Sequence, residues 1–201
     1  EGGSVIREEW CGHRYAAAVM DQARACDQIV ISADPAAKTE ERNDPTGIVV
    51  AGVRGEEVYV LHSEAVRREA PDSEQRIADL VAEYRVLGKP VVVAVEDTNV
   101  GQAWIPQLRR RGLTVIPVAV SGRGDKVQRM HPHLARWAAG QVRLPASAPW
   151  VAAFVAQVTS VPDAEHDDLW DAMSILLWYL ASMQARPRST ASGILASLGA
   201  Q

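Results

Sequence analysis

Two stretches decide the fold: Ile29-Val30-Ile31-Ser32-Ala33-Asp34-Pro35 and Val91-Val92-Val93-Ala94-Val95-Glu96-Asp97. Each is a short apolar run that ends in an acid. The second is uninterrupted over five residues, the pattern of a strand buried on both faces of a parallel sheet. Pro35 stops the first run, because proline has no N–H for a strand ladder. Between them, Gly47–Val53 and Glu57–His62 read as two more strands turning at Gly55, after a polar loop over 36–46. The first three strands therefore form an antiparallel meander.

The period then changes. Ile77, Leu80, Val81, Tyr84 and Leu87 fall at helical spacing, with Ser73 as N-cap and Gly88 just past the end. Trp104, Ile105 and Leu108 mark a helix closed by Gly112. Leu113–Val120 is a fifth strand whose Pro117 suits a sheet edge. A Gly-rich loop over 121–125 precedes a helix within 126–140, after Pro132. A short strand at 141–144 and a short helix at 150–158 follow. His166–Met183 is a long helix with Leu169, Met173, Leu176, Leu177 and Leu180 apolar. This order predicts an α/β fold, a mixed sheet of five or more strands in the order 3-2-1-4-5, flanked by helices. Residues 1–28 read as a linker or N-terminal arm, 29–185 as the folded domain, and 186–201 as a loosely held tail.

Composition narrows the class. With 47% hydrophobic and 23% charged residues in 201, the chain has enough apolar content for one packed domain and is not a disordered polymer. No run approaches the ~18 consecutive apolar residues of a membrane span. Cys11 and Cys26 form no CxxC or Cys/His pattern and read as free thiols of a reducing compartment. A net charge of −4 does not advertise a nucleic-acid binder, yet an acidic metal site contributes to the same count.

The expected strand order places Asp34 and Glu96 side by side. A third acidic cluster, His166-Asp167-Asp168-Leu169-Trp170-Asp171, opens the last long helix, where Asp168 and Asp171 share a face. Carboxylates converging on one point repel unless a cation neutralises them, and an oxygen-only donor set suits Mg²⁺ or Mn²⁺. Two such ions support phosphodiester hydrolysis. Asp97, His166 and Lys126 are additional candidates. Each acid also has a simpler reading: a turn residue at Asp34, a loop that caps a helix at 96–99, and dipole complements at Asp167 and Asp168. Asp171 lies a turn inside the helix, where capping does not explain it. It therefore ranks first as third ligand and Asp168 second, with Asp167 solvent-facing or capping.

These segments resemble a family. Ile31–Ala36, 44–52 (Asp44-Pro45-Thr46-Gly47-Ile48-Val49-Val50-Ala51-Gly52), Val95–Gln102, Asp125–Arg129 with Gly140-Gln141-Val142, and His166–Ala172 occur in the order seen in the nuclease domain of the large terminase subunit of tailed bacteriophages, an RNase H-like fold of the retroviral-integrase type. The resemblance runs from about Ile29 to Leu180. It implies a DNA-packaging component that cuts concatemeric double-stranded DNA with two Mg²⁺ or Mn²⁺ ions. Asp34 and Glu96 would be the first two ligands, and Asp168 or Asp171 the third, though Asp97 competes with Glu96. Arg123, Lys126 and Arg129 would contact DNA phosphates without reading bases. No phosphate-binding GxxxxGK[ST] loop is present, so the resemblance puts ATP hydrolysis in an ATPase domain elsewhere in the full-length protein. It implies the small terminase subunit and the portal as partners, in the host bacterial cytoplasm. Two other readings remain open: another RNase H-like nuclease of junction-resolvase or transposase type, and a non-catalytic module that binds motor or capsid partners.

Overall fold

A seven-stranded mixed sheet organises the chain. The computed structural model describes residues 4–35, 38–39, 42–43, 45–120, 122–164 and 166–185. The strands are β1 (Arg14–Tyr15), β2 (Gln28–Asp34), β5 (Thr46–Arg54), β6 (Glu57–Val66), β7 (Val91–Glu96), β8 (Val115–Val118) and β9 (Val142–Pro145), with β3 (Lys38–Thr39) and β4 (Arg42–Asn43) pairing separately. Spatial order across the sheet is β1-β9-β6-β5-β2-β7-β8. β2, β5 and β6 are the antiparallel meander; β7 runs parallel to β2 and β8 parallel to β7. β8 is an edge strand, which accommodates the missing N–H of Pro117.

The helices are α1 (Val19–Arg24), α2 (Ala70–Arg85), α3 (Asn99–Arg110), α4 (Lys126–Met130), α5 (Leu134–Ala138), α6 (Val151–Thr159) and α7 (Asp168–Gln184). Strand alternation sorts the core into two layers. Ile29, Ile31 and Val93 pack with Ile77 and Leu80 of α2 and with Trp104 and Leu108 of α3. Val30, Val49, Val60 and Ala94 face the other way and share a core with Met173, Leu176 and Leu177 of α7. Each large apolar side chain buried in this way contributes about 1.5–3 kcal/mol. This packing fixes the rotation of α7 about its axis, and with it the direction of its acidic first turn.

Several expectations are corrected. The segment read as a linker or arm is folded onto the sheet: Ile6, Cys11, Ala23 and Cys26 are buried, β1 pairs with β9, and the Tyr15 hydroxyl donates to the Val60 carbonyl at 2.9 Å. Its elements are two to six residues long, too short to show a period. The polar loop over 36–46 contains the β3–β4 pair. α2 starts at Ala70 rather than at Ser73, because Pro71 fits the first helical turn. The 126–140 stretch turns helical before Pro132, since Asp125 and Gln128 form a reciprocal capping box on α4. A 3-10 turn at His131–His133 then leads into α5. The expected tail, 186–201, and Ala36 and Asp44 of the matching segments lie outside the described residues. No helix among the described residues is long and apolar enough to cross a membrane.

Candidate active site

β2 and β7 run in register from Ile29↔Val91 to Ala33↔Val95, so the next residues, Asp34 and Glu96, stand at neighbouring carboxyl ends. Directly across on β5, Gly47 pairs with Asp34. A β-carbon at position 47 would lie 2.6 Å from the Asp168 carbonyl carbon and would collide with its oxygen. Gly47 therefore lets the start of α7 sit on the end of the sheet. Gly101 likewise lets the first turn of α3 close onto the end of β7, where a β-carbon would collide with the Glu96 carbonyl. The first turn of α7 is further tied by Gln157 of α6, whose side-chain oxygen accepts from the Leu169 N–H at 2.7 Å.

The side chains of Asp34, Glu96, Asp168 and Asp171 gather at this point. Burial pushes the Asp34 carboxyl well above its ordinary pKa, and the charges of Asp171 and Glu96 push it further, against a smaller opposing pull from Lys126. Asp171 is raised by burial, with Lys126 pulling the other way. Asp168 is raised by burial and by the charge of Asp167. Two cations from α4 answer these acids. The Lys126 ammonium bonds to Asp167 and lies 2.7 Å from Asp171. The Arg129 guanidinium reaches Glu96 at 3.7 Å and Asp171 at 3.9 Å. Burial disfavours the Lys126 charge, but its bonds to Asp167 and Asp171 outweigh that and raise its pKa.

Each expected site residue has a definite place. Asp34, Glu96, Asp168, Asp171 and Lys126 are together. Asp97 is not with them: one step past Glu96 it is exposed, and accepts from Gln102 at 3.3 Å over the start of α3. The Thr98 side chain caps that helix. His166 is exposed. Asp167 stands at the N-cap of α7 but makes no capping hydrogen bond; its carboxylate goes to Lys126 instead. Arg129 is only 16% exposed and points inward to Glu96 and Asp171. Arg123 is exposed, with its guanidinium 3.9 Å above the Trp178 ring. Gly47, Gly101 and Gln157 carried no chemical signal in the sequence; a glycine inside a strand, as at 47, is the one local hint of a close approach.

The carboxylates of Asp34, Asp167, Asp168 and Asp171 outnumber the two α4 cations beside them, Lys126 and Arg129, so negative charge is in excess if all ionise. Among the described residues no three His, Cys, Asp or Glu side chains are already grouped to hold a metal ion. Yet Asp168 Oδ2 and Asp171 Oδ1 are buried without a hydrogen-bond partner, an arrangement that costs free energy unless something else satisfies them. Orphaned carboxylate oxygens beside a strongly perturbed third carboxyl fit a hard divalent cation.

The family model of the terminase RNase H-like domain matches residues 31–180. The chain belongs to this family. A search of curated protein sequences gives no match. Among solved structures, this terminase domain is similar to the human cytomegalovirus terminase nuclease domain (TM-score 0.62, 15% identity, covering 90% of this chain and 93% of that one). It is also similar to the large terminase nuclease from the thermophilic phage G20c with bound magnesium (0.58, 15%, 87% and 96%). A third likeness is to the large terminase of another thermophilic bacteriophage (0.64, 12%), where 89% of this chain covers 45% of that one. The α/β sheet flanked by helices is thus the RNase H-like fold of terminase nucleases, and this terminase domain spans under half of that third chain.

Proposed function

We propose that this terminase domain is a metal-dependent endonuclease that cuts concatemeric double-stranded DNA during genome packaging, using two Mg²⁺ or Mn²⁺ ions. The observation that carries the reading is the convergence of Asp34, Glu96, Asp171 and Asp168 with two of their oxygens unsatisfied. The magnesium bound by the G20c nuclease supports a divalent ion.

Asp34 and Glu96 would hold the ions from the strand ends, Asp171 and secondarily Asp168 from α7. When bound, the ions supply an activated water and a counter-charge for the leaving oxygen. The residues' own part is placement. The β2–β7 register sets the spacing of Asp34 and Glu96, and the Gly47 contact sets the height of α7. The apolar strand interiors exclude water below the acids. Arg129 keeps Glu96 and Asp171 facing each other. Arg123, exposed over Trp178 of α7, is a contact for DNA phosphate. An ATPase domain of the same full-length protein would hold the duplex, with the small terminase subunit and portal as further partners, in the host bacterial cytoplasm.

Supercoiled plasmid incubated with the wild-type chain should be nicked and linearised in Mg²⁺ or Mn²⁺, and left intact in EDTA or with Asp34→Asn. Cleavage that persists in excess chelator overturns the metal-dependent reading.

A further inference from the structure

We propose that Lys126 is an exchangeable internal counter-cation: its ammonium holds Asp171 and Asp167 in the metal-free chain, and a divalent ion entering among the acids displaces it outward. The inference rests on the metal-site reading above.

The backbone of α4 is pinned to α7 at the two residues that matter. The Trp170 indole N–H donates to the Lys126 carbonyl at 3.3 Å, and that of Trp178 donates to the Arg129 carbonyl at 2.9 Å. The Asp125–Gln128 capping box fixes the start of the same helix. The two cations are therefore delivered to the acids by a rigid backbone, and only their side chains can move. They are not equally free. Lys126 is 41% exposed and Arg129 16%. An ammonium on a flexible four-carbon stem keeps access to water, whereas the planar guanidinium is held between Glu96 and Asp171. Lys126 is thus the one that can leave.

Its present place adjoins the one an ion would need. Lys126 occupies Asp171 Oδ2, while Asp171 Oδ1 has no hydrogen bond. A metal ion on Asp171 would face the ammonium across one carboxylate, and two cations that close repel. Asp167 gives its carboxylate to Lys126 rather than to the helix N-terminus, so releasing Lys126 returns Asp167 to water or to capping. A single ammonium cannot neutralise the acids around it, and exchange for a divalent charge is the favourable direction.

The chain has three lysines, Lys38, Lys89 and Lys126, so side-chain NMR of ¹⁵N-lysine-labelled protein can follow this ammonium directly. In metal-free wild type, Lys126 should give a slowly exchanging signal that collapses on Mg²⁺ addition, with the midpoint of Mg²⁺ binding measured by calorimetry. Lys126→Met should bind Mn²⁺ about two- to fivefold more tightly than wild type, the scale of a partly exposed ion pair, and show a larger metal-induced rise in Tm. A Lys126 signal unmoved at saturating Mg²⁺ overturns the inference; so does equal or weaker Mn²⁺ binding by Lys126→Met. If the variant does not fold, the wild-type titration decides alone. Wild type that binds metal and cleaves DNA with its Lys126 signal unmoved sinks this inference only. A chain that binds no Mn²⁺ with either residue at 126 sinks the metal reading with it.

Discussion

Gly47 on β5 and Asp168 at the start of α7 are in van der Waals contact through backbone atoms, with no room for a β-carbon between them. One strand position thereby sets how close the acids of α7 come to Asp34, its cross-strand partner.

Gly47→Ala should therefore act at a distance. The added methyl must push the first turn of α7 off the sheet, at about 1–3 kcal/mol for overpacking. Urea unfolding should show that loss, and calorimetry a weaker Mn²⁺ affinity. Unchanged stability together with unchanged metal binding would mean that α7 moves freely at no cost.

Asp34 contributes to pH-dependent stability with a definite sign. Its folded pKa lies above the ordinary value of 3.8, so the native state binds the extra proton. That contribution is full below about 3.8 and is lost as pH rises through the raised folded value. In EDTA, Asp34→Asn should melt higher than wild type, and by a wider margin at about pH 7.5 than at about pH 5. A margin that is absent, or narrower at the higher pH, contradicts the crowding of acids described here.

The two α7 acids should separate in a cleavage assay. Asp171 exerts the largest charge effect on Asp34, and Asp168 a smaller one. Asp171→Asn should lower cleavage by at least about 100-fold, the scale of losing one preorganised electrostatic group. Asp168→Asn should retain more activity. The reverse order would make Asp168 the main ligand.

His133 gives a pH effect outside the site. Burial lowers its pKa to about 4 from an ordinary 6.5, and its ring meets Trp178 edge-on at 4.9 Å. The unfolded chain takes up a proton near pH 6.5 that the folded chain refuses until about pH 4. Its contribution is thus full above 6.5 and lost as pH falls toward 4. His133→Phe keeps a ring against Trp178 and should flatten the fall in urea stability between about pH 7 and about pH 4.5. An unaltered slope would assign that fall to other groups.

The residues differ in how openly the sequence displayed them. Ile29–Asp34 and Val91–Glu96 were legible because a strand buried on both faces must be apolar throughout, so an acid at its end stands out. The acids of α7 were legible because helical spacing puts 168 and 171 on one face. Asp97 was separable from Glu96 only by strand alternation, which needs the strand end to be known to the residue. The pairing of Arg129 with Glu96 and Asp171 was not legible, because an ion pair made across elements leaves no local pattern. β1, β3 and β4 span two residues each and have no period to detect. Gly47 and Gly101 matter through atoms they lack, which composition does not reveal.

Asp34, Glu96 and the α7 acids, on the reading proposed here, form one divalent-metal centre. Anomalous diffraction from Mn²⁺-soaked crystals locates the ions of such a centre without reference to activity. Two peaks about 4 Å apart are expected, bounded by Asp34, Glu96 and Asp171, with Asp168 adjacent. No anomalous peak among these carboxylates at saturating Mn²⁺, or a peak only elsewhere on the domain, would contradict it.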